Sequence, residues 1–305
     1  MKTISNGNLT IAVKECGAEL ASIKYNGREY LWQADETFWK RHSPVLFPIV
    51  GAVWNGEYRS DNHVFKMGQH GIARDMDFTL VDESSTELWY ELKFSDSTLQ
   101  AYPYPFYLKI GYRIEESNVH VMWHIENHGS KEMPFQIGAH PAFFWPLLSN
   151  EQISGPVSEM QEPLNSTDRR GYFKIESDTY VLPLSIITEG GCIGKHGSIR
   201  LQENGYLPID VNTFNDDALI IEDSHVNKVT LCMQDKTPYL SMSFTSPVVG
   251  LWSPPGKRAP FVCIEPWYGR TDSVNYTGIF EEKPWMQHLA SGAHFDAEYT
   301  ISIES

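Results

Sequence analysis

Cysteine is scarce in the 305-residue sequence: Cys16, Cys192, Cys232 and Cys263 are the four present, and none pairs with another at CxxC spacing. Neither a zinc knuckle nor a disulfide framework is suggested, and reduced thiols in a cytoplasm fit best. Basic residues are few as well. Lys and Arg number 24 against 39 Asp and Glu, a formal charge of −15 with histidine neutral. A field of that sign repels phosphate backbones and anionic lipid, and no local run of Lys and Arg opposes it, so nucleic acid and membrane surfaces are poor partners. Long apolar runs are missing too. The opening MKTISNGNLTIAVKE turns polar before a signal-peptide core could form, and Pro44 to Trp54 (PVLFPIVGAVW) is too short to cross a bilayer.

A further absence is helical spacing: nowhere do apolar residues keep the helical period for three turns between caps. What is there is period two. Leu88, Tyr90, Leu92 and Phe94 alternate with polar or amphipathic neighbours, as do Val119, Val121, Trp123 and Ile125, and again Phe295, Ala297, Tyr299, Ile301 and Ile303. Such runs predict half-buried antiparallel strands. Asn26-Gly27 between two strand-like runs predicts a two-residue hairpin. With 41% hydrophobic and 13% aromatic residues the chain can build a large core. The expectation is an all-β sandwich in one domain over 1–305, with the polar Ser149 to Tyr172 stretch as a long loop.

Several chemical motifs fail. Gly190 to Gly197 (GGCIGKHG) resembles a phosphate cradle, but Glu189 and His196 stand where Gly and Ser or Thr are needed, so a mobile loop is expected. His120 and His124 have the spacing of a helical zinc pair but lie on a predicted strand, which puts them about 13 Å apart on a solvated face. No GxSxG elbow occurs.

Three polar clusters remain, each set in aromatic and Gly/Pro-rich sequence: GQHGIARDMDF with His70 and Arg74, QIGAHPAFFW with His140, and VCIEPWYGRTD with Glu265 expected at the end of an apolar strand. Burial beside rings raises a carboxylate pKa and lowers that of an imidazole, which suits general acid–base work. Rings with neutral hydrogen-bonding groups also suit a sugar. Each cluster has a plainer reading: His-Pro as a turn, or Glu265 as a strand end paired with Arg270.

Taken in order, His-Gly-x-Ala-Arg-Asp, Gly-x-His-Pro-Ala-Phe, Phe-Asn-Asp-Asp-Ala-Leu (Phe214 to Leu219) and Cys-Ile-Glu-Pro-Trp-x-Gly-Arg resemble the aldose 1-epimerase family across essentially the whole chain. The resemblance implies a galactose mutarotase-like antiparallel β-supersandwich that binds a monosaccharide and interconverts its anomers, with no metal or nucleotide cofactor. It implies His140 as the general acid toward the ring oxygen and Glu265 as the base toward the anomeric hydroxyl. His70 and Arg74 match positions that hold sugar hydroxyls, and Asp217 falls where the family places a substrate-binding acid. Asp216 is its neighbour, and strand alternation would let one of the two face a pocket.

The chain departs from the pattern where relatives often carry Arg directly after Gly51, since Ala52 stands there. A phosphorylated sugar would need clustered cations, and Arg74, Arg270 and the Lys257-Arg258 pair do not form one in sequence. A sugar-binding module without catalysis would need no His–Glu couple. An interaction protein is a third reading, motivated by nine Trp and fifteen each of Tyr and Phe, though a large core accounts for most of those rings.

Overall fold

Strong alternation becomes strand. In the computed structural model, which describes residues 1–223 and 225–304, Asn118–Asn127 alternates half-buried and buried residues along its whole length. It pairs antiparallel with Phe106–Glu115 on one side and His294–Ile303 on the other. These strands lie inside a nine-stranded sheet that runs from Tyr206–Asp210 at one edge to Thr79–Glu83 at the other. Val119, Val121, Trp123 and Ile125 enter the core, while His120 and His124 stay on the outer face. There His120 Nδ1 lies 2.7 Å from Glu298 and His124 Nδ1 2.7 Å from Asp296. The outer face is thus laced by cross-strand imidazole–carboxylate pairs. Phe94, expected to continue the Leu88–Leu92 alternation, falls beyond the strand Glu87–Lys93 and is exposed.

The second large sheet carries the site. Its strands in chain order are β1 (Val45–Leu46), β2 (Ile137–Ala139), β3 (Ala142–Phe144), β4 (Val181–Glu189), β5 (Cys192–Arg200), β6 (Leu219–Ile221), β7 (Val248–Trp252) and β8 (Phe261–Tyr268). The spatial order is β5-β4-β6-β7-β8-β2-β1, with β3 also pairing with β8, all antiparallel. β8 lies in mid-sheet and is buried almost throughout, which is why FVCIEPWY shows no polar alternation. Tyr268 stacks edge-on against Trp123 and Phe295 of the nine-stranded sheet. Val262, Ile264 and Tyr268 therefore face that sheet, and Cys263, Glu265 and Trp267 face the opposite side. One contiguous buried cluster links both sheets, and the architecture is an all-β antiparallel supersandwich.

Local turn chemistry behaves as written in the sequence at Asn26-Gly27, where both residues adopt positive φ (49° and 82°) and close the hairpin between Leu20–Tyr25 and Arg28–Glu29. Two expectations are corrected. Gly190-Gly191 (φ 60° and 73°) is the tip of the β4–β5 hairpin, and Cys192–Arg200 is strand throughout. The stretch expected as a long loop folds into helices Asn150–Ser154 and Val157–Ser166 before the strand Arg169–Glu176. Ser149 caps the first with a reciprocal Gln152 bond. The second buries Met160 and Leu164, one turn apart, too short a stripe to register as periodicity. No helix among the described residues is long and apolar enough to cross a membrane.

Candidate active site

Glu265 sits in the middle of β8, opposite Gly250 of β7, and not at a strand end. Trp267 follows on the same face and lies across its neighbours because two glycines leave room. A Cβ at Gly138 of β2 would come within 2.5 Å of the indole Cδ1, and one at Gly250 within 2.6 Å of Cη2. The ring becomes a flat floor beside the carboxylate. Arg270 does not approach Glu265; its Nε lies 3.3 Å from Glu222.

His140 occupies the connection between β2 and β3, tied by its backbone N–H to the Pro44 carbonyl at 3.2 Å. Its ring is walled by Trp39 at 4.7 Å between centroids, Trp252 at 5.3 Å and His70 at 5.6 Å. Nε2 of His140 lies 3.3 Å from Oε2 of Glu265, and Glu265 is fully buried. Neither carboxylate oxygen, nor His140 Nδ1, has a hydrogen-bond partner among the described residues.

The tautomer of His70 is fixed by the backbone. Its Nδ1 accepts the Gly51 N–H at 3.1 Å while its own N–H donates to the Gly51 carbonyl at 2.7 Å. An amide can act there only as donor, so the His70 proton resides on Nε2, which becomes a donor in turn. His70 holds φ of 65°, and Gly71 next to it cannot carry a side chain, because a Cβ would meet the Phe47 carbonyl at 2.2 Å.

Burial dominates the electrostatics. It pushes Glu265 well above the ordinary carboxylate range, and the charge of Asp217 adds to the effect. It lowers His140 to about 3, with the cationic Arg74 and Arg41 acting in the same direction. His70 is likewise held well below the usual imidazole value by burial, then by His140, Arg74 and Arg41. Arg74 is itself lowered to about 10 by burial.

His70, Arg74, His140, Asp217 and Glu265 all line one cavity of about 250 Å³. Asp216 is exposed instead. The choice between the two is made by a turn in which Asp217 takes φ of 75° and accepts the Ala218 N–H, not by strand alternation. The cavity also draws on Trp39, Trp252, Trp267, Gly191 and Thr271, none of which sequence reasoning singled out. For Trp267 a signal exists in its place directly after Glu-Pro; for Trp39 and Gly191 the contact is long-range.

The sequence matches the family model for aldose 1-epimerase over residues 1–302. The chain belongs to the aldose 1-epimerase family. Similar in sequence is Protein LacX, chromosomal, of Lactococcus lactis subsp. lactis, 31% identical over 98% of each chain. The galactose mutarotase related enzyme of Lactobacillus acidophilus superposes with a TM-score of 0.87 at 29% identity, covering 100% of this chain and 97% of its own. A galactose mutarotase-like protein of Lactobacillus casei ATCC 334 gives 0.87 at 26%, covering 99% of both. Ala52 is buried beside Gly51, which lines the cavity, and is not itself part of the lining. Its N–H donates to Thr271 Oγ1 at 3.0 Å, and that hydroxyl donates to the Gly191 carbonyl at 2.6 Å. Gly51 beside it, at φ of 71°, would place a Cβ 2.4 Å from Thr271 Cβ, so this seam is closed by backbone contact.

Proposed function

We propose that the protein is a mutarotase that interconverts the α and β anomers of a free aldohexose by acid–base ring opening and reclosure. The observation that carries this reading is the His140–Glu265 couple, two buried proton-bearing groups 3.3 Å apart on one cavity. Ring opening removes a proton from the anomeric hydroxyl and delivers one to the ring oxygen, two oxygens bonded to one carbon. An acid and a base converging on a small volume meet that need.

Proton counting makes the couple reversible. The step starts from the less populated tautomer of the couple, with its single proton on His140: Glu265 takes the hydroxyl proton as His140 gives one to the ring oxygen, leaving the open aldehyde beside neutral His140 and protonated Glu265, the form that burial favours. Rotation about C1–C2 presents the other carbonyl face. Reclosure returns each proton along its path, and the other anomer leaves with the couple restored. The number of protons on the couple never changes. Burial favours the neutral arrangement, the one that accompanies the open-chain sugar. His70, with its donor on Nε2, and Arg74 hold hydroxyls, Asp217 accepts from one, and the Trp267 face packs against C–H surface.

A neutral sugar is favoured over a phosphorylated one because the other candidate cations are engaged elsewhere. Lys257 donates to the Phe38 carbonyl at 3.1 Å, Arg258 binds Asp168 at 2.9 Å, and Arg270 pairs with Glu222. The test is polarimetry on fresh α-glucose and α-galactose with a hexose 6-phosphate alongside. Enzyme-dependent acceleration for a free aldose is expected; acceleration confined to the phosphate would overturn the substrate class, and none with any sugar the activity.

The pH dependence follows from the opposed shifts. His140 takes a second proton near pH 3, not near the ordinary 6.5, and Glu265 gives up its proton well above the ordinary 4.5. Between those limits the couple keeps one proton. The expected kcat/KM shows no rise through the ordinary histidine range, and falls on the alkaline side only where the raised Glu265 carboxyl loses its proton. A kcat/KM that rises to a plateau as pH climbs through about 6.5, the signature of an ordinary histidine losing its proton, would exclude a His140 held near 3.

A further inference from the structure

Cys263 lies two residues before Glu265 on β8 and projects from the same face. Its Sγ, one His140 ring nitrogen and one Glu265 oxygen lie within 4.8 Å of one another, and all three residues are buried. No mechanistic role falls to this thiol. Thiolate, imidazole and carboxylate are each zinc ligands, and three protein ligands are the number zinc takes in sites that keep a fourth position open. The polar atoms around it are uncommitted, since both Glu265 oxygens and His140 Nδ1 lack hydrogen-bond partners among the described residues.

We propose that His140, Cys263 and Glu265 form a binding site for a borderline or soft divalent cation, Zn²⁺ or Cd²⁺, and that its occupancy blocks the acid–base couple. Zinc–donor bonds of about 2.0–2.3 Å require the donors to draw together modestly from their present separation. The ion enters through the cavity, where His140 and Glu265 form part of the lining, and its fourth position faces that cavity. Hard cations such as Mg²⁺ are excluded, because a thiolate and an imidazole do not serve them. The exchange balances. The ion displaces the thiol proton and the proton carried by the His140–Glu265 couple, so two protons leave as two positive charges arrive, and the buried site keeps its net charge. Ion and sugar then compete for the same two side chains. The binding claim stands on the donors alone, whereas the inhibition rests on the mutarotase reading.

The test uses the full chain with Cys16→Ser as background, because Cys16 is an exposed free thiol that would bind soft ions itself. The stripped protein is titrated with Zn²⁺ against a chromophoric chelator, and with Cd²⁺ while following the ultraviolet thiolate–cadmium absorption. One ion per chain is expected, with Mg²⁺ inert. Cys263→Ser should weaken binding by at least about 10–100-fold and remove the cadmium band. Mutarotation should be inhibited by Zn²⁺, relieved by chelator or excess aldose, and retained at its basal rate but insensitive to Zn²⁺ in Cys263→Ser. Unchanged Zn²⁺ affinity in Cys263→Ser, or no cadmium–thiolate band in the parent, overturns the site. Cys263→Ala replaces Cys263→Ser if the serine variant does not fold. Mutarotation without metal binding refutes this site alone; binding without mutarotation refutes the proposed function alone.

Discussion

Glu265→Gln should lower the mutarotation rate by about 100- to 10,000-fold while leaving the protein as stable as its parent. Both halves come from one observation. The carboxyl is fully buried and pushed toward its protonated form, so the fold already accommodates a neutral, Gln-like group at this position. What glutamine cannot do is accept and return a proton. His140→Asn should cost a similar factor, because asparagine keeps a polar group between Trp39 and Trp252 but has no titratable nitrogen. The double variant should be scarcely slower than either single one, since the two groups act as a unit on one proton exchange. Polarimetry, with sugar binding followed by thermal shift, separates the possibilities. Rates near the parental value in either single variant would sink the assignment, and multiplicative losses in the double variant would show that the residues act separately.

Lys283→Met should destabilise the protein by about 3–5 kcal/mol without touching the acid–base couple. Lys283 and Asp272 form an ion pair at 2.8 Å whose side chains are 1% and 2% exposed. Removing the cation strands a buried carboxylate. Burial lowers the Lys283 pKa while Asp272 supports its charge, so the lysine depends on this partner as well. Asp272 Oδ2 also accepts the Trp54 N–H at 2.9 Å. Lys283→Met combined with Asp272→Asn keeps that acceptor, removes the stranded charge and should recover most of the loss. Urea unfolding of the parent and the two variants checks this; a single variant as stable as the parent would mean that water reaches the pair.

Much of the fold could be read because its signals are local. Alternation at Val119 to Ile125 and Asn-Gly at 26–27 each need a few neighbouring residues, and the structure places strands and a hairpin there. The helices at 150–166 were missed because they are short and anchored by few apolar side chains. Glu265 could be picked out as chemically interesting but not placed, because β8 is buried on both faces and carries no alternation from which to judge its extent. His70, Arg74, His140, Asp217 and Glu265 could be named from the wording of three clusters and a turn, and they share one cavity. Trp39 and Gly191 could not, since they reach that cavity from segments far from the three clusters, and Thr271, though inside the third cluster, carries no signal in its residue type. The His70 tautomer was beyond sequence altogether, for it depends on one amide of Gly51.

The indole floor of the cavity has a consequence for how the family can vary. Trp267 lies flat because Gly138 and Gly250, on the strands either side, contribute nothing above the backbone. Positions 138, 250 and 267 are therefore one character in inheritance, not three. A lineage that enlarges either glycine must first give up the tryptophan, and one that gives up the tryptophan frees both glycines to drift. Within the family, members with this floor and members without it should be separable by those three positions read together, whatever their overall identity.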